Sequence, residues 1–180
     1  MEEEIINSFL TFEVNGATYG IHVAHVVEIM AYVEPQSASA SVPAMIGLVE
    51  HRGRVLPLID SGIKFGSTPV KINEQTYMVI ISVRNGDELF DVALAVDLVR
   101  EVLEIPEANR LPIDSTYKPG YVLFAAQTPD GLGMFFDPDK VFTDVDIIKM
   151  ADFTAKANKL AAEKQAQQDS QTDDTKGPEA

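Results

Sequence analysis

Two Asn-Gly pairs, each set between runs of alternating apolar residues, constrain this chain more than any other feature. Leu10, Phe12 and Val14 alternate with polar residues up to Asn15-Gly16, and Tyr19, Ile21 and Val23 alternate beyond it. Asn-Gly fills the two left-handed positions of a tight turn, so this pattern predicts a β-hairpin. Tyr77, Val79, Ile81 and Val83 approach Asn85-Gly86 in the same way, and Phe90, Val92, Leu94 and Val96 return on one face. A third hairpin is predicted around Pro129-Asp130-Gly131, where proline pre-sets the turn and glycine takes its strained corner.

The two halves read as an internal repeat. His25–Met30 echoes Leu98–Leu103, and Gly53–Asp60 echoes Gly131–Asp137. Two similar β modules follow, and short strands with evenly spaced turns favour small closed barrels, which remove exposed sheet edges. Between the modules, Gly62–Asn73 is turn-rich and reads as a crossover. Helix is expected near Thr143, where Thr143 and Asp146 supply a capping hydroxyl and an early acid, and the segment 144–166 continues it. Residues 167–180 carry no large apolar side chain and predict a disordered tail.

The stretch Pro43–Asp60, PAMIGLVEHRGRVLPLID, joins two apolar runs through a charged turn at Arg52-Gly53. Val55, Leu56, Leu58 and Ile59 are too continuously apolar for a one-sided strand, so both faces should be covered, with Pro57 at an edge or bulge.

Composition narrows the function. The chain has no cysteine, which excludes disulfides and thiol chemistry and fits a reducing compartment. Its start is acidic where a signal peptide is basic, and no apolar run approaches the ~20 residues of a membrane span. We expect a soluble, cytoplasmic protein without direct membrane insertion. Residues 151–180 hold six acids and four lysines, so −12 of the −14 net charge lies on residues 1–150. An acidic body without a basic stripe repels phosphate, which argues against nucleic acid and anionic lipid as partners.

Candidate chemical sites fall away on inspection. His22, His25 and Glu28 have helix-like spacing but straddle the end of a predicted strand and lack a third strong ligand from sequence. Asp137, Asp139, Asp144 and Asp146 suggest a calcium loop until the register places Phe142 at its glycine position and Ile148 at its closing acid. Ser61 follows Asp60 without a histidine base, and no glycine-rich phosphate cradle is present. The sequence therefore predicts no catalytic residue, no cofactor and no metal.

FLTFEVNGATYGIHVAHVVEIMAY, the Arg-Gly stretch with its internal proline and closing aspartate, and VALAVDLVREVLEIP together resemble the CheW family, the small adaptors of bacterial chemosensory arrays. The resemblance covers about residues 8–143. It implies an all-β fold of two five-stranded SH3-like barrel subdomains sharing a core, which we place at about 8–70 and 71–143. It further implies an adaptor coupling a CheA-type histidine kinase to the cytoplasmic tip of methyl-accepting chemoreceptors, at arrays on the inner face of the membrane. By the same resemblance, Arg52, Gly53, Val26 and Glu28 match partner-contact positions, and Val99 and Val102 match positions beside a receptor-binding groove. Each has a plainer reading: Arg52 as an exposed turn cation, the valines as core. Glu50-His51 stand where the family commonly carries asparagine and an aliphatic residue, and Leu98 where a small residue is frequent, which implies an altered partner surface. A type IV pilus or other alternative pathway is the nearest rival reading. A small-ligand sensor or enzyme using the groove between barrels is the more distant one.

Overall fold

The chain does not fold as two successive halves. In a computed structural model describing residues 5–38, 42–66, 68–114, 116 and 119–173, each of two five-stranded sheets takes a hairpin from one half and three strands from the other. The strands are β1 (Ser8–Val14), β2 (Ala17–His22), β3 (Val26–Ala31), β4 (Met45–His51), β5 (Arg54–Asp60), β6 (Tyr77–Asn85), β7 (Glu88–Val96), β8 (Leu98–Glu104), β9 (Val122–Thr128) and β10 (Gly131–Phe136). The first sheet has the order β8-β1-β2-β10-β9 and the second β3-β6-β7-β5-β4.

The sheets therefore correct the expected 8–70 and 71–143 division, because the second sheet is inserted within the first. The cause is the shortness of two crossings. A single 3-10 turn, Val23–His25, carries the chain from β2 to β3, and Asp97 alone separates β7 from β8. The Asp97 N–H donates to the Glu13 carbonyl at 3.0 Å, and its carboxylate accepts from the Asn15 N–H. Such links pass the strand on to the neighbouring sheet instead of reversing it onto its own. The repeat survives the exchange: the antiparallel hairpins β1–β2 and β6–β7 occupy equivalent places, and β10 joins β2 in parallel as β5 joins β7.

Both faces of each sheet are covered. On β6, Met78 and Ile80 pack in a cluster with Leu56, Leu58 and Ala93 of the second sheet, while Val79, Ile81 and Val83 enter a cluster shared with Leu10, Phe12, Val14 and Phe136 of the first. The first sheet has its own cluster of Phe9, Phe124 and Phe135. Burying one such side chain completely stabilises the fold by about 1.5–3 kcal/mol. The all-β expectation holds, with two five-stranded units on a common core. Pro57 lies where β5 has a strand on one side only: β4 pairs it through Leu48, and β7 joins from Leu58 onward. Gly20 permits the closest approach in the first sheet, since a Cβ there would sit 2.2 Å from the Phe135 ring.

Short helices follow β5 and β10, and a long one follows the last strand. Asp60 caps α1 (Ser61–Lys64), its carboxylate accepting the Ile63 N–H at 3.1 Å. Asp137 caps α2 (Pro138–Val141), accepting the Asp139 N–H at 3.0 Å. Thr143 accepts the Asp146 N–H as expected and starts α3 (Asp144–Asp173), which buries Ile147, Met150 and Thr154. The helix runs past the expected end at 166, because alanine, lysine, glutamine and glutamate sustain it and neither glycine nor proline interrupts before Gly177. The remainder of the expected disordered tail, 174–180, lies outside the described residues. Among those residues no helix is long and apolar enough to cross a membrane.

Candidate partner-binding site

The β4–β5 hairpin ends in a two-residue turn, with His51 paired to Arg54 and both Arg52 and Gly53 left-handed at φ +51° and +75°. This is the type I′ geometry, which favours Asn-Gly. Arginine occupies the first position at some conformational cost, and its side chain is 77 % exposed.

Glu28 meets this turn from the far edge of the sheet. Strands β3 and β4 are the two ends of the strand order, yet the Glu28 carboxylate bonds to His51 Nε2 and accepts from Arg52 Nε at 3.2 Å. The sheet therefore curls until its edges are bridged by side chains. The hydrogen bond with His51 holds the Glu28 carboxyl below the usual carboxylate range; partial burial opposes this and Arg52 adds to it. A shallow depression beside the cluster is completed by Val27, Leu56 and Asp91.

The first sheet carries a comparable edge-to-turn ion pair of opposite polarity, one position off in the repeat, since Arg100 aligns with Val27. Arg100 on edge strand β8 bonds to Glu13 at 2.6 Å and lies 3.7 Å from Asp130 in the β9–β10 turn. An acid on the edge strand faces a basic turn in one sheet; a base faces an acidic turn in the other.

The six residues expected from sequence fall into two groups. Glu28, Arg52 and Gly53 stand together. Val26, half-buried and paired with Ile81, packs on the shared core two residues before Glu28. Val99 occupies the equivalent place on β8, opposite Phe12 and against the same core. Val102 lies further along β8 with 56 % of its surface exposed. Thus Val26 and Val99 follow their plainer core reading in part, while Val102 is a surface residue on the other sheet. Sequence reasoning missed His51 as a member of the cluster and overlooked Val27 and Ile29, both exposed on β3. The repeat carried a signal for Ile29, since it aligns with Val102.

Ser61, the serine weighed as a nucleophile, is fully buried, and among the described residues its hydroxyl has no hydrogen-bond partner.

Residues 8–146 match the CheW-like domain. The chain is 26 % identical over 160 residues to the chemotaxis protein CheW of Klebsiella aerogenes, covering 88 % of this chain and 91 % of that one. It is 28 % identical over 100 residues to the chemotaxis protein CheW of Bacillus subtilis, covering 56 % and 62 %. Among solved structures, the scaffolding protein TtCheW of Thermoanaerobacter tengcongensis superimposes with a TM-score of 0.66 at 22 % identity, over 76 % of this chain and 88 % of that one, a likeness of fold. With more than half of its length matched, the chain belongs to the CheW-like family of chemotaxis adaptors.

Proposed function

We propose that this chain is a non-catalytic adaptor that couples chemoreceptors to a CheA-type histidine kinase, and that the Glu28–His51–Arg52 cluster with Gly53 forms one of its partner contacts. Arg52 carries the reading. A left-handed arginine costs more than the asparagine that favours the same turn, and its side chain is mostly in solvent, linked to Glu28 alone among the described residues. Backbone strain retained at an exposed position points to a role outside the fold. Val102 and its counterpart Ile29 supply apolar surface on the two edge strands, suited to receptor or kinase contact. Such a bridge acts by fixing geometry and raising effective concentration, with no chemistry of its own.

Reconstitution tests this. Receptor cytoplasmic fragments and the cell's own CheA-type kinase should co-sediment with the wild-type chain and lose the kinase or the receptor with Arg52→Glu while the chain stays folded, with at most a small drop in melting temperature. Normal assembly by a folded Arg52→Glu chain would remove Arg52 from the interface, and a wild-type chain that recruits neither partner would overturn the adaptor reading. Glu50-His51 mark a divergent partner surface without identifying the pathway; the set of kinases retained by the chain as bait distinguishes an alternative chemosensory pathway from the flagellar one.

A further inference from the structure

We infer that His25, Asp137 and Asp139 form a binding site for a divalent transition-metal ion of the zinc class, at the crossing between the two sheets. This is independent of the adaptor reading. Each half of the site comes from a pattern that fails as a sequence motif: His25 from the His22, His25, Glu28 spacing, and the two aspartates from the supposed calcium loop. Folding discards both patterns and joins their remnants. One ligand atom from each residue lies within 4.8 Å of the other two, and all three side chains are half-buried.

The surroundings orient these side chains. His25 closes the 3-10 turn between β2 and β3, with Nδ1 3.4 Å from the Ser82 carbonyl, which leaves Nε2 for a ligand. Asp137 spends Oδ1 on the Asp139 N–H at 3.0 Å, and Asp139 spends Oδ1 on the Arg84 N–H at 2.9 Å. Among the described residues, their second oxygens face side-chain cations at longer range, Lys140 at 3.9 Å and Arg84 at 3.6 Å, both mostly exposed and able to swing into water. Zinc bonds of about 2.0–2.2 Å place tetrahedral ligand atoms roughly 3.4 Å apart, so rotation of the carboxylates closes the cluster round an ion and leaves a fourth position for water. An imidazole with two carboxylates suits a borderline ion over calcium or magnesium, which take oxygen ligands. The acidic field of the chain attracts any cation, so the test must separate this site from diffuse binding.

Zinc chloride titrated into the full-length chain by calorimetry, followed in parallel through imidazole NMR resonances, decides the matter. The chain has three histidines, so each can be assigned by substitution. One equivalent should bind, the His25 ring should shift while His22 and His51 hold, and calcium should not compete. His25→Ala and Asp139→Asn should each weaken binding by about tenfold or more. Asp137→Asn keeps an oxygen to cap α2 while removing a charge, and it should weaken binding without unfolding; it serves as the deciding variant if His25→Ala does not fold. Several weak equivalents unaffected by these substitutions, or shifts at His22 or His51 instead, would overturn the site.

Discussion

Glu28 and His51 stand on opposite edge strands of the second sheet and are joined by a hydrogen bond, so a side-chain contact closes what the backbone ladder leaves open. Arg52 adds a second link to the same carboxylate oxygen. The Arg52 link is exposed and contributes modestly, whereas the His51 contact is part-buried.

Acid should release it. The Glu28 carboxyl is held below its ordinary range in the fold, so its contribution is fully present above the unfolded value and disappears as pH falls through the folded one. Melting temperatures of wild type and Glu28→Gln should differ where the carboxylate is ionised, above about pH 5, and converge in more acidic buffer. A gap that persists at low pH would show that the glutamine itself disturbs packing.

Asn158 performs a comparable service for α3. Its side-chain oxygen accepts the Val55 N–H at 2.8 Å and its amide donates to the Val55 carbonyl at 3.4 Å, where β7 has not yet reached β5. The amide thus stands in for a strand residue. Asn158→Ala should cost about 1 kcal/mol and raise hydrogen exchange in the helix beyond residue 158, with the sheets unchanged. Exchange spreading into β5 and β6 would mean that the helix holds the sheet and not the reverse.

Because each sheet borrows strands from both halves, neither half can unfold alone without breaking both sheets and the shared core. Denaturation should show one transition by circular dichroism and by tyrosine fluorescence alike. Two separated transitions would contradict the coupling implied by the strand exchange.

Local features were legible in the sequence where the chain's own neighbours decide them. Asn15-Gly16, Arg52-Gly53 and the Thr143 cap are such cases. At Asn85-Gly86 the reading slipped by one residue: Asn85 stays in β6 opposite Glu88, and Gly86 takes the first turn position at φ +64°. The exchange of strands between sheets was hidden, since it depends on which strand a short crossing delivers to which edge. The internal repeat gave the equivalences without the partners. The same holds for the site. Arg52 and Gly53 announce a turn, but Glu28 and His51 lie 23 residues apart, and only the curl of the sheet brings them together. The helix end was missed for a different reason, since propensity alone carries a helix past its last buried contact.

Arg52 and Gly53 offer the sharpest separation of folding from function. Both residues are left-handed, and a Cβ on Gly53 would meet nothing within 4 Å, so Gly53→Ala tests the backbone alone and should cost about 1 kcal/mol. Arg52→Asn moves the other way. Asparagine favours this conformation, and only one exposed link to Glu28 is lost, so stability should hold or rise by a few tenths of a kcal/mol. Binding should nevertheless fall, because the exposed guanidinium is gone. Arg52→Glu completes the series by opposing Glu28 and any acidic partner: stability should drop by no more than about 0.5 kcal/mol and assembly should weaken further than with asparagine. Thermal melts set beside co-sedimentation with kinase and receptor give the two axes. Variants ranked identically on both would return Arg52 to the fold; a turn that becomes more stable as it binds less would mark it as an interface residue.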